Sequence, residues 1–349
     1  MNRCAILIPT YRFDESSSAI LLAACQLAGE KFQIIISDNS ENSEKHIFLK
    51  NLQNNNPCIN IYLHEKNIGA FENWKFLCDR STCFEFVQWI ADDDAINGNY
   101  IEPSLGLILN NDEASAAAGQ LFVSQNNILF EQEKKDLESI DVLKNLENWF
   151  DYGSWNLLSY VLIRRSIMMH WFNYINGHPL IGSFMDRLLT ISIVVSGPVL
   201  RHNQGAYIWN SKNWAQDISS MASIEKHYEN TGAPRVLSLY FDLHFAIEAT
   251  SFLICNISPV QDQNLGAQYG QIVWHRVIEH FRNKVNQNKE FYESTLIGFP
   301  QALEALYYFI NFDSIPDENL IRKFPLIIKA FDEELAIKYV KHLDRIFTF

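Results

Sequence analysis

Short apolar runs alternate with amphipathic segments over the first third of the chain. Four runs have the length and the β-branched or aromatic content of buried strands: CAILI (4–8), FQIIIS (32–37), INIYL (59–63) and FEFVQWI (84–90). Helices are predicted between them, at about 16–29, 43–54 and 70–80. This alternation predicts an α/β fold, with a mostly parallel central sheet and helices on both faces.

Beyond residue 110 the pattern is less regular, and from about residue 216 the apolar spacing becomes helical. The sequence therefore predicts one domain over 1–215 and a helical region over 216–349. The other predicted elements are strands within 114–124, 159–168 and 197–209, a helix around 180–195, and a charged, exposed excursion at 126–150.

Each of the four N-terminal strands ends on polar residues that favour turns. In a parallel α/β sheet, ligands bind at the carboxyl ends of the strands. Each segment alone has the composition of an ordinary turn, but together they predict a binding site at one edge of the sheet. The segments are Pro9-Thr10-Tyr11, 37–40, 64–69 and 92–94.

The run Asp92-Asp93-Asp94 directly follows the fourth predicted strand. Three adjacent carboxylates repel one another and have poor β propensity, so a positive group is expected beside them. Carboxylate oxygens suit Mg²⁺ or Mn²⁺, and Mg²⁺ is commonly held by one or two carboxylates together with substrate phosphates. The alternatives are a solvated acidic turn, or an aspartate that caps a helix at 98–110.

Charge and cysteine usage narrow the class of protein. The net charge of −13 argues against general affinity for nucleic acid. Six cysteines without CxxC pairs are typical of reduced thiols in a cytoplasmic protein. The start resembles no secretory signal, and the run LLTISIVV is too short to span a bilayer. We expect a cytoplasmic protein, with peripheral contact to the inner face of the plasma membrane as the alternative.

Four segments resemble, in order and separation, the motifs of the inverting nucleotide-sugar glycosyltransferases of family 2, which have the GT-A fold. They are ILIPTYR (6–12), IIISDNSEN (34–42), NIGAFENW (67–74) and WIADDDAI (89–96). VLIRRSI (161–167) and IGSFMDRLL (181–189) resemble the later signature of the family. The resemblance covers about residues 1–215. It implies transfer of a sugar, with a UDP-sugar as the first expectation, to a hydroxyl of a glycan or lipid-linked glycan, as in bacterial surface polysaccharide synthesis.

The resemblance also implies the contacts of the donor. Asp38 would hydrogen-bond the base, and the loop at Asn67 and Gly69 would lie beside the nucleotide. Asp94 would be the principal ligand of Mn²⁺ or Mg²⁺, with Asp92 also near the metal. The residues implied at the nucleotide are Pro9, Thr10, Tyr11, Asp38, Asn67, Gly69, Asp92 and Asp93.

Inverting transfer needs a base that takes the proton of the acceptor hydroxyl. By resemblance this base is Asp186, although an aspartate in a first helical turn is also favoured by the helix dipole. His202 would complete the metal shell or donate to a phosphate, with an ordinary structural role as the alternative. Arg164 would lie near the acceptor, or simply be solvated. Trp155 is the candidate platform for an acceptor sugar, although most tryptophans pack in cores.

The segment 321–349 carries apolar residues at helical spacing after Pro325. Such a face most often packs on its own domain or on a second copy of the chain, and a membrane-surface role is the minority alternative.

Two rival functions remain open at this point. A non-catalytic GT-A-like module for nucleotide or glycan binding, or for assembly, is favoured by departures from the family pattern at Ala91, Met185 and Asn210. A nucleotidyltransferase is disfavoured, because PTYRFDESSS lacks the glycines and multiple basic residues of a triphosphate loop. The absence of GxGxxG and GK[ST] argues against NAD-dependent enzymes and P-loop kinases.

Overall fold

A computed structural model describes residues 3–97, 99–125, 128–131, 136–151, 157–180, 185–210 and 221–348. The chain forms two compact units. The first comprises Met1–Phe172 and Ser196–Gln216, and the second comprises Asn173–Val195 and Asp217–Phe349. The sequence places a single boundary near 215, whereas the structure also assigns Asn173–Val195 to the second unit.

The strands of the first unit agree with the seven that the sequence predicts and add two more. The described strands are β1 (Cys4–Thr10), β2 (Phe32–Asp38), β3 (Ile59–Leu63), β4 (Phe86–Trp89), β5 (Ala95–Asn97), β6 (Ala116–Gln125), β7 (Ile128–Glu131), β8 (Leu162–Arg164) and β9 (Val199–Asn210). The two additional strands are β5 and β7.

Within the described residues these strands form one mixed sheet in the order β3-β2-β1-β4-β8-β6-β9-β5, with β7 paired to β6. β1 is parallel to both β2 and β4, and β2 is parallel to β3. Thr10 lies opposite Asp38, so β1 and β2 end at the same level. Beyond β4 the order becomes mixed, because β8 is antiparallel to both β4 and β6.

The helices of this unit connect the strands. They are α1 (Glu15–Cys25), α2 (Ser43–Asn55), α3 (Ala70–Arg80), α4 (Ile101–Leu109), α5 (Val142–Asp151) and α6 (Arg165–Ile175), whose last three residues belong to the second unit. Local chemistry fixes their starts. Asp14 and Ser17 form a reciprocal capping box at α1, and Asn42 accepts two amide hydrogen bonds at α2. The predicted excursion at 126–150 contains β7 and most of α5, and so is more regular than expected.

The second unit is helical over its described residues. Its helices are α7 (Met185–Val195), α8 (Met221–Asn230), α9 (Phe241–Ile254), α10 (Gln263–Gln287), α11 (Lys289–Thr295), α12 (Pro300–Ile310), α13 (Glu318–Ile321), α14 (Phe324–Lys329) and α15 (Glu333–Phe347).

Helix α9 forms the core of the second unit: of the thirteen residues 241–253, all but Asp242 are buried. Helix α10 packs closely on it because Gly266 lacks a side chain. A Cβ atom at Gly266 would lie 2.4 Å from the carbonyl oxygen of Leu253. Among the described residues, the stretch Arg235–Ile254 is long and apolar enough to cross a membrane. However, 89% of its most apolar 18-residue segment is buried inside the protein, as in an ordinary core helix.

The apolar face predicted near the end of the sequence is buried within this unit. Tyr339, Leu343 and Ile346 on α15 are at most 1% exposed, as is Ile328 on α14. The alternative in which the face packs on its own domain is therefore the one observed.

Candidate functional site

Asp92 fastens the loop that follows β1. Its Oδ2 accepts hydrogen bonds from the Thr10 hydroxyl (3.0 Å), the Tyr11 amide (2.7 Å) and the Arg12 amide (2.8 Å). The residue is 5% exposed. One carboxylate oxygen is thus committed to the loop, and Oδ1 is left for other partners.

The positive charge beside the aspartates comes from the chain itself. Nη1 of Arg12 lies 3.0 Å from Oδ1 of Asp92 and 2.7 Å from Oδ2 of Asp93. The side chain of Arg12 is 41% exposed and that of Asp93 is 17% exposed, so this ion pair lies at the protein surface. Arg12 was not among the site residues predicted from the sequence. Its signal was a lone basic residue in the first loop, directly after Tyr11.

Asp94 is held by β9, the last strand in the sequence. The Tyr207 hydroxyl donates to its Oδ2 over 2.6 Å, and the Asn210 amide donates to its Oδ1 over 2.8 Å. Burial raises the pKa of Asp94 to about 7, against the effect of these two hydrogen bonds, and the charges of Asp93 and Asp92 add to the rise. An apolar cavity of about 250 Å³ between α1 and β5 borders the same residue.

Asp38 lies beneath the edge, fully buried. Lys45 and the Ser40 amide contact its Oδ1 at 2.8 and 3.1 Å, and the Ser40 hydroxyl and His46 contact its Oδ2 at 3.0 and 3.2 Å. Lys45 also donates to the Thr10 hydroxyl over 2.8 Å. Burial lowers the pKa of Lys45, and its contacts with Asp38 oppose that shift. Both carboxylate oxygens of Asp38 are thus committed within the protein, and a base contact would require one of these partners to be displaced.

The loop before α3 is shaped by two asparagines. Oδ1 of Asn67 accepts from the Gly69 amide (2.8 Å) and from the Asn39 side chain (2.9 Å), while Asn39 accepts from the Ile68 amide (2.7 Å). Gly69 precedes the helix with φ of 87°, a conformation that favours glycine. Asn67 and Gly69 therefore form one rigid turn at the carboxyl ends of β2 and β3.

Of the three residues predicted at the end of β1, Tyr11 is the exposed one. Tyr11 is 59% exposed, whereas Thr10 is 2% exposed and Pro9 is partly buried. The hydroxyl of Thr10 is used by Asp92 and Lys45. Thr10 therefore supports this edge from below, and Tyr11 is available to contact a ligand.

The chemistry of this edge fits a divalent cation. Asp92, Asp93 and Asp94 offer the carboxylate oxygens that Mg²⁺ and Mn²⁺ prefer. Asp94 has a raised pKa, as is typical of a buried carboxylate whose negative charge is poorly compensated. Because Arg12 lies between Asp92 and Asp93, a cation that bridges those two residues would replace its guanidinium.

The structure does not bring His202 to the aspartates. His202 lies near the start of β9, and Asn210, which contacts Asp94, is the last residue of that strand. Its Nε2 is 2.8 Å from the Ser104 hydroxyl on α4, and its Nδ1 accepts from the Gln204 amide over 3.1 Å. Both ring nitrogens are engaged there, which favours the structural alternative for His202, and its role in the metal shell stays a prediction.

Arg164 is likewise engaged in contacts within the protein. Its guanidinium donates to the carbonyl oxygens of Ala114 (2.7 Å), Asn111 (3.0 Å) and Ile108 (3.3 Å). It lies opposite Phe86, the first residue of β4, and hence at the end of the strand away from the aspartates. These contacts favour a structural role for Arg164, and its predicted acceptor role stays a prediction. Trp155 lies outside the described residues.

Asp186 stands in the first turn of α7, in the second unit. Burial raises its pKa, and the charge of Arg187 opposes this shift. The guanidinium of Arg187 packs over the rings of Phe241 and Phe245, at 4.8 and 5.3 Å from the ring centres. Asp186 is thus a partly buried carboxylate with raised proton affinity, and its role as a base stays a prediction.

A second group of potential metal ligands is buried in the second unit. Nε2 of His178 and Nε2 of His244 lie 3.0 and 3.2 Å from the two carboxylate oxygens of Glu248. The hydroxyls of Tyr174 and Tyr339 also donate to Glu248. Burial alone would raise the pKa of Glu248, but its contacts with the two histidines hold that pKa well below its usual range.

The tautomer of His178 argues against a metal in this group. Nδ1 of His178 accepts the Leu180 amide over 3.0 Å and therefore carries no proton. In the neutral ring the proton is then on Nε2, the atom that faces Glu248, and a protonated nitrogen cannot bind a metal ion. Metal-bound histidines normally use their second ring nitrogen as a donor. The group is a hydrogen-bond network around a buried carboxylate.

Comparison with known proteins finds a family match within the first unit and similar solved structures. Residues 5–172 match the family model described as glycosyl transferase family 2. No curated protein sequence matches the chain. A structure of S. aureus TarS 1–349 is similar, with a TM-score of 0.58 and 14% identity over 99% of this chain and 90% of that chain. TarS 1–349 in complex with UDP-GlcNAc gives a TM-score of 0.55 and 13% identity, over 99% and 91% of the two chains. The chain covers 55% of a longer TarS structure.

Proposed function

The chain carries a glycosyltransferase family 2 domain with the GT-A fold, and on that premise we propose that it transfers a sugar from a nucleoside diphosphate to a glycan hydroxyl, with inversion at the anomeric carbon. The observation that carries this proposal is the meeting of Asp92, Asp93 and Asp94 with the ends of β1 and β9. A UDP-sugar is the proposed donor, since two of the similar TarS structures contain UDP-GlcNAc and UDP.

Residues at the sheet edge would bind the donor. Tyr11 offers an exposed ring to the base, and the Asn67–Gly69 turn forms a rigid wall beside it. The aspartates would hold Mn²⁺ or Mg²⁺, with Asp94 as the principal ligand. Such a cation supplies charge that neutralises the diphosphate leaving group. Asp92 keeps the loop after β1 in place through its three hydrogen bonds and thereby positions Tyr11.

The proposed base is Asp186. The acceptor oxygen forms its bond to the anomeric carbon while the bond from that carbon to the diphosphate oxygen breaks, and the hydroxyl proton moves to the Asp186 carboxylate. A pKa above the usual aspartate value suits this role, because it increases the affinity of the carboxylate for the proton. The acceptor is proposed to be a glycan or lipid-linked glycan, and the cytoplasmic location and peripheral membrane contact stay predictions that cell fractionation would test.

Calorimetric titration of UDP, GDP and dTDP, with and without Mn²⁺, tests the donor site. We expect UDP to bind in a manganese-dependent way and Asp94→Ala to abolish that dependence. Asp313→Ala, which removes an exposed carboxylate in the second unit, is the control. Failure of every diphosphate to bind in the presence of metal would refute the proposal. Binding without sugar transfer to any glycan acceptor would instead favour a non-catalytic module.

A further inference from the structure

Arg12 lies between Asp92 and Asp93, in the position that a divalent cation bridging these two carboxylates would need. Oδ2 of Asp92 is used by three donors of the β1 loop, so Oδ1 is the oxygen left to face Asp93. Nη1 of Arg12 lies within 3.0 Å of that Oδ1 and of Oδ2 of Asp93. One guanidinium nitrogen thus contacts the two carboxylates that a divalent cation would bring together.

The side chain of Arg12 can leave this position while its backbone stays fixed. The amide of Arg12 is fastened to Asp92 over 2.8 Å, but 41% of the side chain is exposed to solvent. Exposed ion pairs are weak, because water and salt compensate the separated charges. Lys45, the other cation at this edge, is fully buried between Asp38 and Thr10 and has no such freedom.

We propose that Arg12 is a replaceable counter-ion: it neutralises Asp92 and Asp93 in the free protein, gives way to the divalent cation, and then binds a phosphate of the donor. The inference rests on the proposed function and adds a diphosphate-binding residue to it. Guanidinium groups bind phosphate oxygens in a two-pronged geometry, and the diphosphate would arrive at the edge where Arg12 is anchored. Competition with the cation and attraction to the phosphate would make Arg12 favour binding of the two together.

A substitution of Arg12 should change the affinities for Mn²⁺ and for UDP in opposite directions. This distinguishes the proposed role from a purely structural one in the loop after β1. In Arg12→Gln the competitor of the metal is lost, so we expect Mn²⁺ alone to bind at least about threefold more tightly, the scale set by a weak surface ion pair. With Mn²⁺ saturating, UDP should bind at least about tenfold more weakly, because a charge-assisted contact to phosphate is lost. Arg12→Lys keeps the charge and loses the fork, so it should fall between the wild type and Arg12→Gln in both measurements.

The experiment is a pair of titrations on the full chain: free Mn²⁺ counted by electron paramagnetic resonance without nucleotide, and UDP by calorimetry with Mn²⁺. Arg3→Gln is the matched control, since it removes the same charge from an exposed pair with Glu85, which precedes β4 at its amino end. Tighter Mn²⁺ and weaker UDP in Arg12→Gln alone support the inference. Equal affinities in Arg12→Gln and Arg3→Gln overturn it, and so does a loss of both affinities together with a lower melting temperature. A wild-type chain that binds neither Mn²⁺ nor UDP refutes the proposed function itself.

Discussion

The hydroxyl of Tyr207, in β9, donates a 2.6 Å hydrogen bond to Asp94, which is 113 residues earlier in the sequence. This contact places the third aspartate against β9, while the first two are engaged with the loop after β1. The three consecutive carboxylates therefore have different environments, and substitutions at each should have different effects.

Asp94 makes the metal-free protein less stable as the pH rises. Its folded-state pKa of about 7 is above the ordinary value of 3.8, so the folded state holds a proton that the unfolded state has released. Stability should therefore fall between about pH 4 and 7, by up to about 1.4 kcal/mol per pH unit. Asp94→Asn should lack this decline and should bind Mn²⁺ at least tenfold more weakly, as roughly expected for loss of a charged ligand. Urea unfolding with chelator across this range measures the first effect, and an unchanged slope in the variant would contradict it.

Substitutions of Asp92 and Asp93 should differ in their effect on stability while both weaken metal binding. Asp92→Asn places an amide against three donors of the loop after β1, so the free energy of unfolding should fall by about 1–3 kcal/mol. Asp93→Asn removes a more exposed partner of Arg12 and should cost less than about 1 kcal/mol. Both variants should bind Mn²⁺ more weakly. Denaturant unfolding and metal titration of both variants measure these effects. Equal free energies of unfolding in the two variants would contradict the prediction.

Asp186→Asn should impair chemistry and leave donor binding intact. Loss of a general base typically costs about 10²- to 10⁴-fold in rate, so kcat should fall by that order while the Kd of UDP with Mn²⁺ stays unchanged. Single-turnover transfer and calorimetry measure the two quantities. Asp313→Asn, at an exposed position of the second unit, is the control. A variant with wild-type kcat would remove Asp186 from the reaction.

Arg164→Lys should lower stability and leave nucleotide affinity unchanged. A lysine cannot reproduce the donation to the carbonyl oxygens of Ala114, Asn111 and Ile108, so we expect a loss of about 1–3 kcal/mol. Thermal unfolding and UDP titration check this, with Arg3→Lys as an exposed comparison. Weaker UDP binding in a folded Arg164→Lys protein would support a direct role for this residue.

The network around Glu248 should make the second unit sensitive to acid. Burial lowers the pKa of His342 from 6.5 to about 2. A histidine with a depressed pKa contributes stability above its unfolded value and loses it as the pH falls, here by up to about 1.4 kcal/mol per pH unit below about 6.5. Glu248, whose pKa is also depressed, adds a further loss below about 4.5. His342→Asn should flatten the decline between pH 6.5 and 5 in urea unfolding, and a decline as steep as in the wild type would contradict the prediction.

The sequence predicted the α/β fold correctly, because strand periodicity is a local signal, and the binding site at the polar strand ends stays a prediction. Arg12 was missed because its meaning depends on a contact with Asp93, eighty-one residues away. The surroundings of His202 and Arg164 could not be predicted for a related reason. Motif order located their strands, but only the pairing of β8 with β4, and of β9 with β6, determines which end of the sheet each side chain reaches.

Tyr339 and His342 in α15 join Tyr174, His178 and Glu248 in one buried network. Tyr174 and Tyr339 are about 165 residues apart in the sequence. During synthesis Glu248 therefore leaves the ribosome well before Tyr339 and His342, two of the residues whose side chains enclose its carboxylate. Until residues 333–347 have left the ribosome, the core of the second unit contains an incompletely shielded charge. We expect this unit to complete its folding late in translation, and nascent chains shorter than about 335 residues to be the substrates of chaperones and proteases.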